Sequence, residues 1–210
     1  KYRLMAAGSS IGDGYGPMVV TSRPSSLEDL KGKRIAIPGR MTSSYLALKL
    51  LHPDFIPVDT HFDKILDVVK EGSVDDGLII HEAQLTYAKS GFHNVVDLGR
   101  WFKETYQLPL PLGANVLKRG LSPEVSAECC RMMRESIQYG LDHREEGLNY
   151  ALQFARDMEP RLAEQFIGMY VNHYTVDAGD TIPKAAQLLY DKGFEVGLLP
   201  HRVEAEFARG

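Results

Sequence analysis

The chain has 210 residues, 44% of them apolar, and a net charge of −4 at neutral pH, enough for one domain or two small ones with a packed core. A pI near 6.0 with interspersed charges excludes the clustered Lys and Arg that a nucleic-acid or anionic-membrane partner requires. No apolar run reaches the roughly 18–20 residues of a membrane span, and Leu4 to Ala7 is too short for a signal-peptide core, so the sequence reads as cytoplasmic. Cys129 and Cys130 are adjacent, a spacing that neither frames a disulfide scaffold nor ligates zinc. The first residue is Lys1, and Lys1 to Ala7 reads as the end of a preceding segment.

Along the chain, Gly12 to Pro17 reads as a turn and Met18 to Thr21 as a strand that crosses between lobes. From Leu27 to Phe102 short β-rich runs then alternate with helical patterns, as in parallel βαβ units. Lys33 to Ile37 predicts a strand, after which Pro38 and Gly39 turn the chain into a helix carrying Tyr45, Leu46, Leu48 and Leu51. A short strand is expected over Ile56 to Asp59. The helix after it has Phe62, Ile65, Leu66 and Val69 on one face and stops at Gly72. Val74 to Ile80 ends in an apolar run suited to a strand buried on both faces. A helix from Glu82, a strand over Val95 to Leu98 and a helix around Trp101 complete the alternation. From Leu108 to Arg119, prolines flank apolar residues, as expected of a second strand connecting two lobes. The remainder reads as helical. Ser122 caps a helix whose apolar face is Val125, Cys129, Met132, Met133 and Ile137, and further helices are expected over Glu145 to Met158, Arg161 to Val171 and Ile182 to Asp191.

Four places could carry chemistry. Gly12 to Pro17 superficially matches a dinucleotide loop, but Pro17 replaces the third glycine and a strand follows where a helix is needed. Pro38 to Tyr45 places Thr42, Ser43 and Ser44 where a strand hands over to a helix. Orphan N–H groups there favour a carboxylate or polar oxygen, while ordinary helix capping would use the same hydroxyls. His81 directly follows the strand end Gly77 to Ile80, and open α/β sheets bind ligands outside the carboxyl ends of their strands. An imidazole in that position suits a general base. The other six histidines have no comparable strand-end context. Glu82 does not complete a zincin motif, because residue 85 is leucine. The last place, Met169 to Thr175, combines aromatic and polar groups and is equally expected of a helix end packed on the core.

Taken in order, Gly14-Tyr15-Gly16-Pro17 with Val19-Val20, Pro38-Gly39-Arg40-x-Thr42, Gly77-Leu78-Ile79-Ile80-His81-Glu82, Val96-Asp97-Leu98-Gly99, Leu108-Pro109-Leu110-Pro111-Leu112-Gly113 and Tyr170-Val171-Asn172 resemble the 1,4-dihydroxy-6-naphthoate synthases of the futalosine route to menaquinone. The resemblance runs from Lys1 to about Gly179. It implies an α/β, two-lobed architecture like that of type 2 periplasmic binding proteins, with a ligand cleft between lobes. Residues 1–26 and 109–210 would form the first lobe, without the family's N-terminal strands, and residues 27–108 the second. The implied reaction is that of a lyase, converting cyclic dehypoxanthinylfutalosine to the naphthoate with no metal or organic cofactor. By resemblance His81 is the proton acceptor and Thr42, Ser43 and Ser44 contact the substrate. The expected partner is therefore a small-molecule substrate, with no nucleic acid and no membrane. Two other readings share the architecture: a non-catalytic solute-binding protein, and a lyase of the related chorismate dehydratase type.

Overall fold

The computed structural model describes residues 1–154 and 159–210. In chain order the strands and helices begin with β1 (Tyr2–Met5), β2 (Ser10–Gly12), β3 (Met18–Thr21) and β4 (Arg34–Ile37). They continue with α1 (Ser43–Leu51), β5 (Ile56–Asp59), α2 (Ile65–Lys70), β6 (Asp76–Ile79), α3 (Ala83–Thr86), β7 (His93–Asp97) and α4 (Leu98–Tyr106). After β8 (Leu110–Gly113) and β9 (Val116–Lys118) come α5 (Pro123–Asp142), α6 (Arg144–Leu152), α7 (Pro160–Tyr170), α8 (His173–Val176), α9 (Thr181–Glu195) and β10 (Phe207–Ala208). The helix expected to run to Met158 is seen as α6; its last four expected residues lie outside the described ones.

The chain forms two compact units: unit 1 comprises Lys1–Gly12, Pro111–Tyr190 and Val203–Gly210, and unit 2 comprises Asp13–Leu110 and Asp191–Arg202. The boundary expected at residue 26 lies at Gly12, for a physical reason. β3 is not a crossover: it pairs antiparallel with both β6 and β7 and so belongs to the sheet of unit 2. The second boundary falls at Leu110, two residues beyond the expected one.

Unit 2 is built on a five-stranded sheet of order β5-β4-β6-β3-β7. β5, β4 and β6 run parallel, and β3 is inserted antiparallel between β6 and β7. Every residue of β6, and all of β4 beyond Arg34, is buried, which is why Ile35 to Ile37 and Gly77 to Ile79 read without polar alternation, although β6 opens on the buried Asp76. Val20, Ala36, Ile79 and Phe92 meet Ile65 and Val69 of α2 in one core cluster.

Unit 1 contains a three-stranded sheet of order β10-β1-β9, in which β1 pairs parallel with β10 and antiparallel with β9. β2 pairs with β8. Helix α5 starts as expected, with Ser122 Oγ accepting from the Val125 N–H and Pro123 at the first helical position. Its inward face differs from the expected one. Ser126 and Cys130 are buried whereas Val125 and Met132 are exposed. The cause is close approach: Arg3 of β1 donates to Ser126 Oγ at 3.1 Å, and Cys130 Sγ lies 3.5 Å from the Ala208 carbonyl of β10. Small side chains fit there, and an apolar periodicity does not see them. Among the described residues, no helix is long and apolar enough to cross a membrane.

Candidate functional site

The carboxyl edge of the unit 2 sheet gathers the residues that the sequence singles out. Because β5, β4 and β6 are parallel, Thr60 to Phe62, Pro38 to Thr42, and Ile80 with His81 all leave the sheet at the same edge. The antiparallel β3 brings Pro17 to that edge at its start, since Met18 pairs with Ile79, and β7 ends there because Met18 also pairs with Asp97. β4 and β6 are direct neighbours, so the turn bearing Thr42 and the segment bearing His81 start from strands about 4.8 Å apart.

The turn after β4 depends on Gly39, whose φ of 139° is a conformation that favours glycine. Thr42 is the N-cap of α1, and its hydroxyl is fully engaged. It donates to the Gly39 carbonyl at 2.7 Å and accepts from the Tyr45 N–H at 3.2 Å and from Ser44 Oγ at 3.0 Å. Ser44 is buried. Thr42 and Ser44 thus help to build the turn, and Ser43 is half-buried at the first position of α1. Arg40 ties the turn to the end of β5, with Nε 2.9 Å from Asp59 Oδ2 and Nη2 3.3 Å from the Pro57 carbonyl. Both partners of that pair are half exposed, so solvent screens it and it adds little to stability.

His81 is half-buried two residues past the end of β6. Its ring packs on Phe62, centroid to centroid 4.2 Å at 55°. His61 lies against the other neighbour of this row, 4.7 Å from the Phe62 ring, and its Nδ1 is 2.5 Å from Asp63 Oδ1. His61 is therefore a second histidine at a strand end. Sequence reasoning passed over it because β5 is short, and over Phe62 because that side chain read as helix core.

The glycine loop serves the same edge structurally. A Cβ at Gly99 would collide with the Tyr15 carbonyl, so glycine is required where the loop lies on the start of α4. The buried Asp97 carboxylate accepts from the N–H groups of Gly99 at 2.9 Å and Arg100 at 3.0 Å, and from Gly16. Burial raises its pKa above the ordinary carboxylate value, against the lowering effect of those N–H groups.

Elsewhere the chemistry is structural. Asn172 and Thr175 form a reciprocal capping box on α8, and Tyr170 packs edge-on against Phe166, which accounts for the Met169 to Thr175 cluster. Burial pushes the Cys130 thiol up, keeping it protonated and a poor nucleophile. Unit 1 contains a cavity of about 430 Å³ lined mainly by aliphatic residues such as Met133, Ile137, Leu148 and Ile167. Arg144 on its wall is paired with Glu164 at 3.7 Å, and of the four places singled out in the sequence only the Met169 to Thr175 cluster reaches it, through Val171 and Thr175. Among the described residues, no group of three His, Cys, Asp or Glu side chains is placed to hold a metal ion.

This α/β architecture is that of the periplasmic solute-binding proteins. The alkanesulfonate-binding protein SsuA of Xanthomonas axonopodis pv. citri, solved bound to MOPS, superposes with a TM-score of 0.71 at 16% identity, covering 100% of this chain and 74% of that one. Within that fold, residues 1–195 match the family described as menaquinone biosynthesis, and the chain belongs to it. The 1,4-dihydroxy-6-naphthoate synthase of Thermus thermophilus is 37% identical over 198 residues, 94% of this chain and 72% of that protein. A crystal structure from Archaeoglobus fulgidus is 45% identical with a TM-score of 0.90, covering 95% of this chain and 74% of that one.

Proposed function

We propose that this chain is a carbon-carbon lyase of menaquinone biosynthesis that converts cyclic dehypoxanthinylfutalosine to 1,4-dihydroxy-6-naphthoate. The observation that carries this reading is the 37% identity with the Thermus synthase across 94% of the chain. Its chemistry is assigned to the carboxyl edge of the unit 2 sheet. His81 takes the proton of a substrate hydroxyl, whose electron pair forms a carbonyl as the ring C–O bond breaks and the ring oxygen leaves with that bond's pair and takes up a proton. Loss of a second hydroxyl proton then forms the carbonyl of the departing fragment as the carbon-carbon bond breaks in a retro-aldol sense, its electron pair passing to the adjacent carbonyl as an enolate that is protonated. The turn at Thr42 to Ser44 holds the substrate at the start of α1, where the backbone N–H groups and the helix dipole favour a carboxylate. Thr42, Ser43 and Ser44 are the substrate-contacting residues of this reading. In this reading the enzyme is cytoplasmic, takes a small-molecule substrate, needs no cofactor, and has no nucleic-acid or membrane partner.

The test is naphthoate formation by the parent and by His81→Ala, run beside a thermal melt. Turnover should fall about 100- to 10,000-fold, in kcat more than in KM, because a base acts on the transition state. Parent-like kcat in a folded His81→Ala variant would remove the base assignment. A parent that binds the substrate without turning it over would move the reading to a solute receptor.

A further inference from the structure

We propose that Phe62 is the positioning residue of His81, holding the imidazole by a tilted ring contact; this rests on the reading of His81 as the base. The observation is a contact that the topology makes difficult. Phe62 follows β5 and His81 follows β6, and β4 lies between those strands in the sheet. Two strand spacings amount to about 9.6 Å, yet the two rings meet at 4.2 Å. The side chains therefore converge across the end of β4, the strand that feeds the Thr42 turn. His61 also contacts the Phe62 ring, centroid to centroid 4.7 Å, and is itself held by Asp63.

The chemistry favours a ring in this role. His81 sits beyond the last paired residue of β6, where the β ladder does not fix its side-chain torsions. The Phe62 ring, 4.2 Å away and tilted at 55°, takes no proton and restricts rotation of the imidazole, so His81 loses rotational freedom before the reaction. The competing role for a half-buried phenylalanine is to cover apolar core, and that role asks only for apolar volume.

Phe62→Leu keeps the volume and removes the flat face, whereas Phe62→Tyr keeps both. In the full chain, assayed with cyclic dehypoxanthinylfutalosine, Phe62→Leu should lower kcat on the order of 10-fold with KM little changed, the scale expected from a misplaced catalytic group. Phe62→Tyr should restore at least half of the parent kcat. In a His81→Ala background Phe62→Leu should cost nothing further, because a residue acting through another has no effect once that other is gone. Full kcat in Phe62→Leu, or an equal loss with and without His81, overturns the proposal while leaving His81 as the base. Parent-like kcat in His81→Ala overturns the base assignment itself, and this proposal with it.

Discussion

The two units distribute their apolar side chains differently. In unit 2, Val19, Val20, Ile35, Ile37 and Leu78 are entirely buried within one sheet. In unit 1, α5 buries only Ser126 and Cys130, α6 buries none of its residues and α7 only Ala163, while Val125, Met132, Tyr139 and Tyr150 are exposed. The candidate catalytic groups all stand on the saturated sheet. A base placed outside the end of a fully buried strand inherits the rigidity of that strand, which is what a geometry set to a fraction of an ångström requires.

The sharpest way to break this contrast is to delete one apolar side chain from each unit. Leu78→Ala opens a cavity in the middle of β6 and should cost about 2–5 kcal/mol. Met132→Ala removes an exposed side chain from α5 and should stay within about 0.5 kcal/mol. Denaturant unfolding can separate the two, since the single tryptophan, Trp101, lies on α4 in unit 2. Its fluorescence follows that unit, and far-UV circular dichroism follows both. Equal losses at the two sites would show that the burial contrast carries no energetic weight.

A smaller contrast is set by the helix caps. Thr42 Oγ1 joins three partners at the start of α1, whereas Ser122 Oγ joins two at the start of α5, accepting from the Val125 N–H at 3.3 Å and donating to the Glu124 carboxylate. Cap removal costs about 0.5–2 kcal/mol. Thr42→Ala should fall at the upper end of that range and Ser122→Ala at the lower. Thr42→Ser, which keeps the hydroxyl, should recover most of the loss in the same unfolding assay. A larger loss at Ser122 would mean that the Thr42 network is ornamental to the fold.

The same contrast explains what was legible beforehand. β4, β5, β6 and their helices follow from local patterns, because a strand buried on both faces writes itself as an apolar run and α1 announces its cap. The family was legible too, since most of the motifs that carry it, from Gly14 to Gly99, lie on the strands and turns that meet at this edge. Sheet order was not. That β3 returns antiparallel between β6 and β7 depends on pairing between distant segments, and it moved the domain boundary from residue 26 to Gly12. The meeting of Phe62 with His81 was hidden for the same reason, because 18 intervening residues and a third strand separate them in sequence and in the sheet. On α5 the obstacle was chemical. Ser126 and Cys130 face inward because β1 and β10 come close, and a rule that looks for large apolar residues selects Val125 and Met132 instead.

The smallest effect should be a difference in sign between carboxylates of the two units. Asp97 in unit 2 is buried, and desolvation raises its pKa above the ordinary value. A carboxyl raised in the folded state holds its proton more tightly there than in the unfolded chain. Its contribution to stability is fully present below the unfolded value of about 3.9 and is lost as pH rises through the raised folded value. Asp97→Asn keeps an oxygen to accept from Gly99 and Arg100 and removes the titration, so between pH 7 and pH 4 the parent should gain stability relative to this variant. Glu128 on α5 behaves in the opposite way. It is exposed, and the Arg131 guanidinium holds its pKa below the ordinary value, so the stability it adds is present above the unfolded value and is lost as pH falls through the folded one. Over the same acid range the parent should therefore lose stability relative to Glu128→Gln, and added salt should shrink that difference because the pair is solvated. Urea unfolding of the three proteins at several pH values reads both slopes. Parallel slopes for the two variants would show that burial does not separate the carboxylates of the two units.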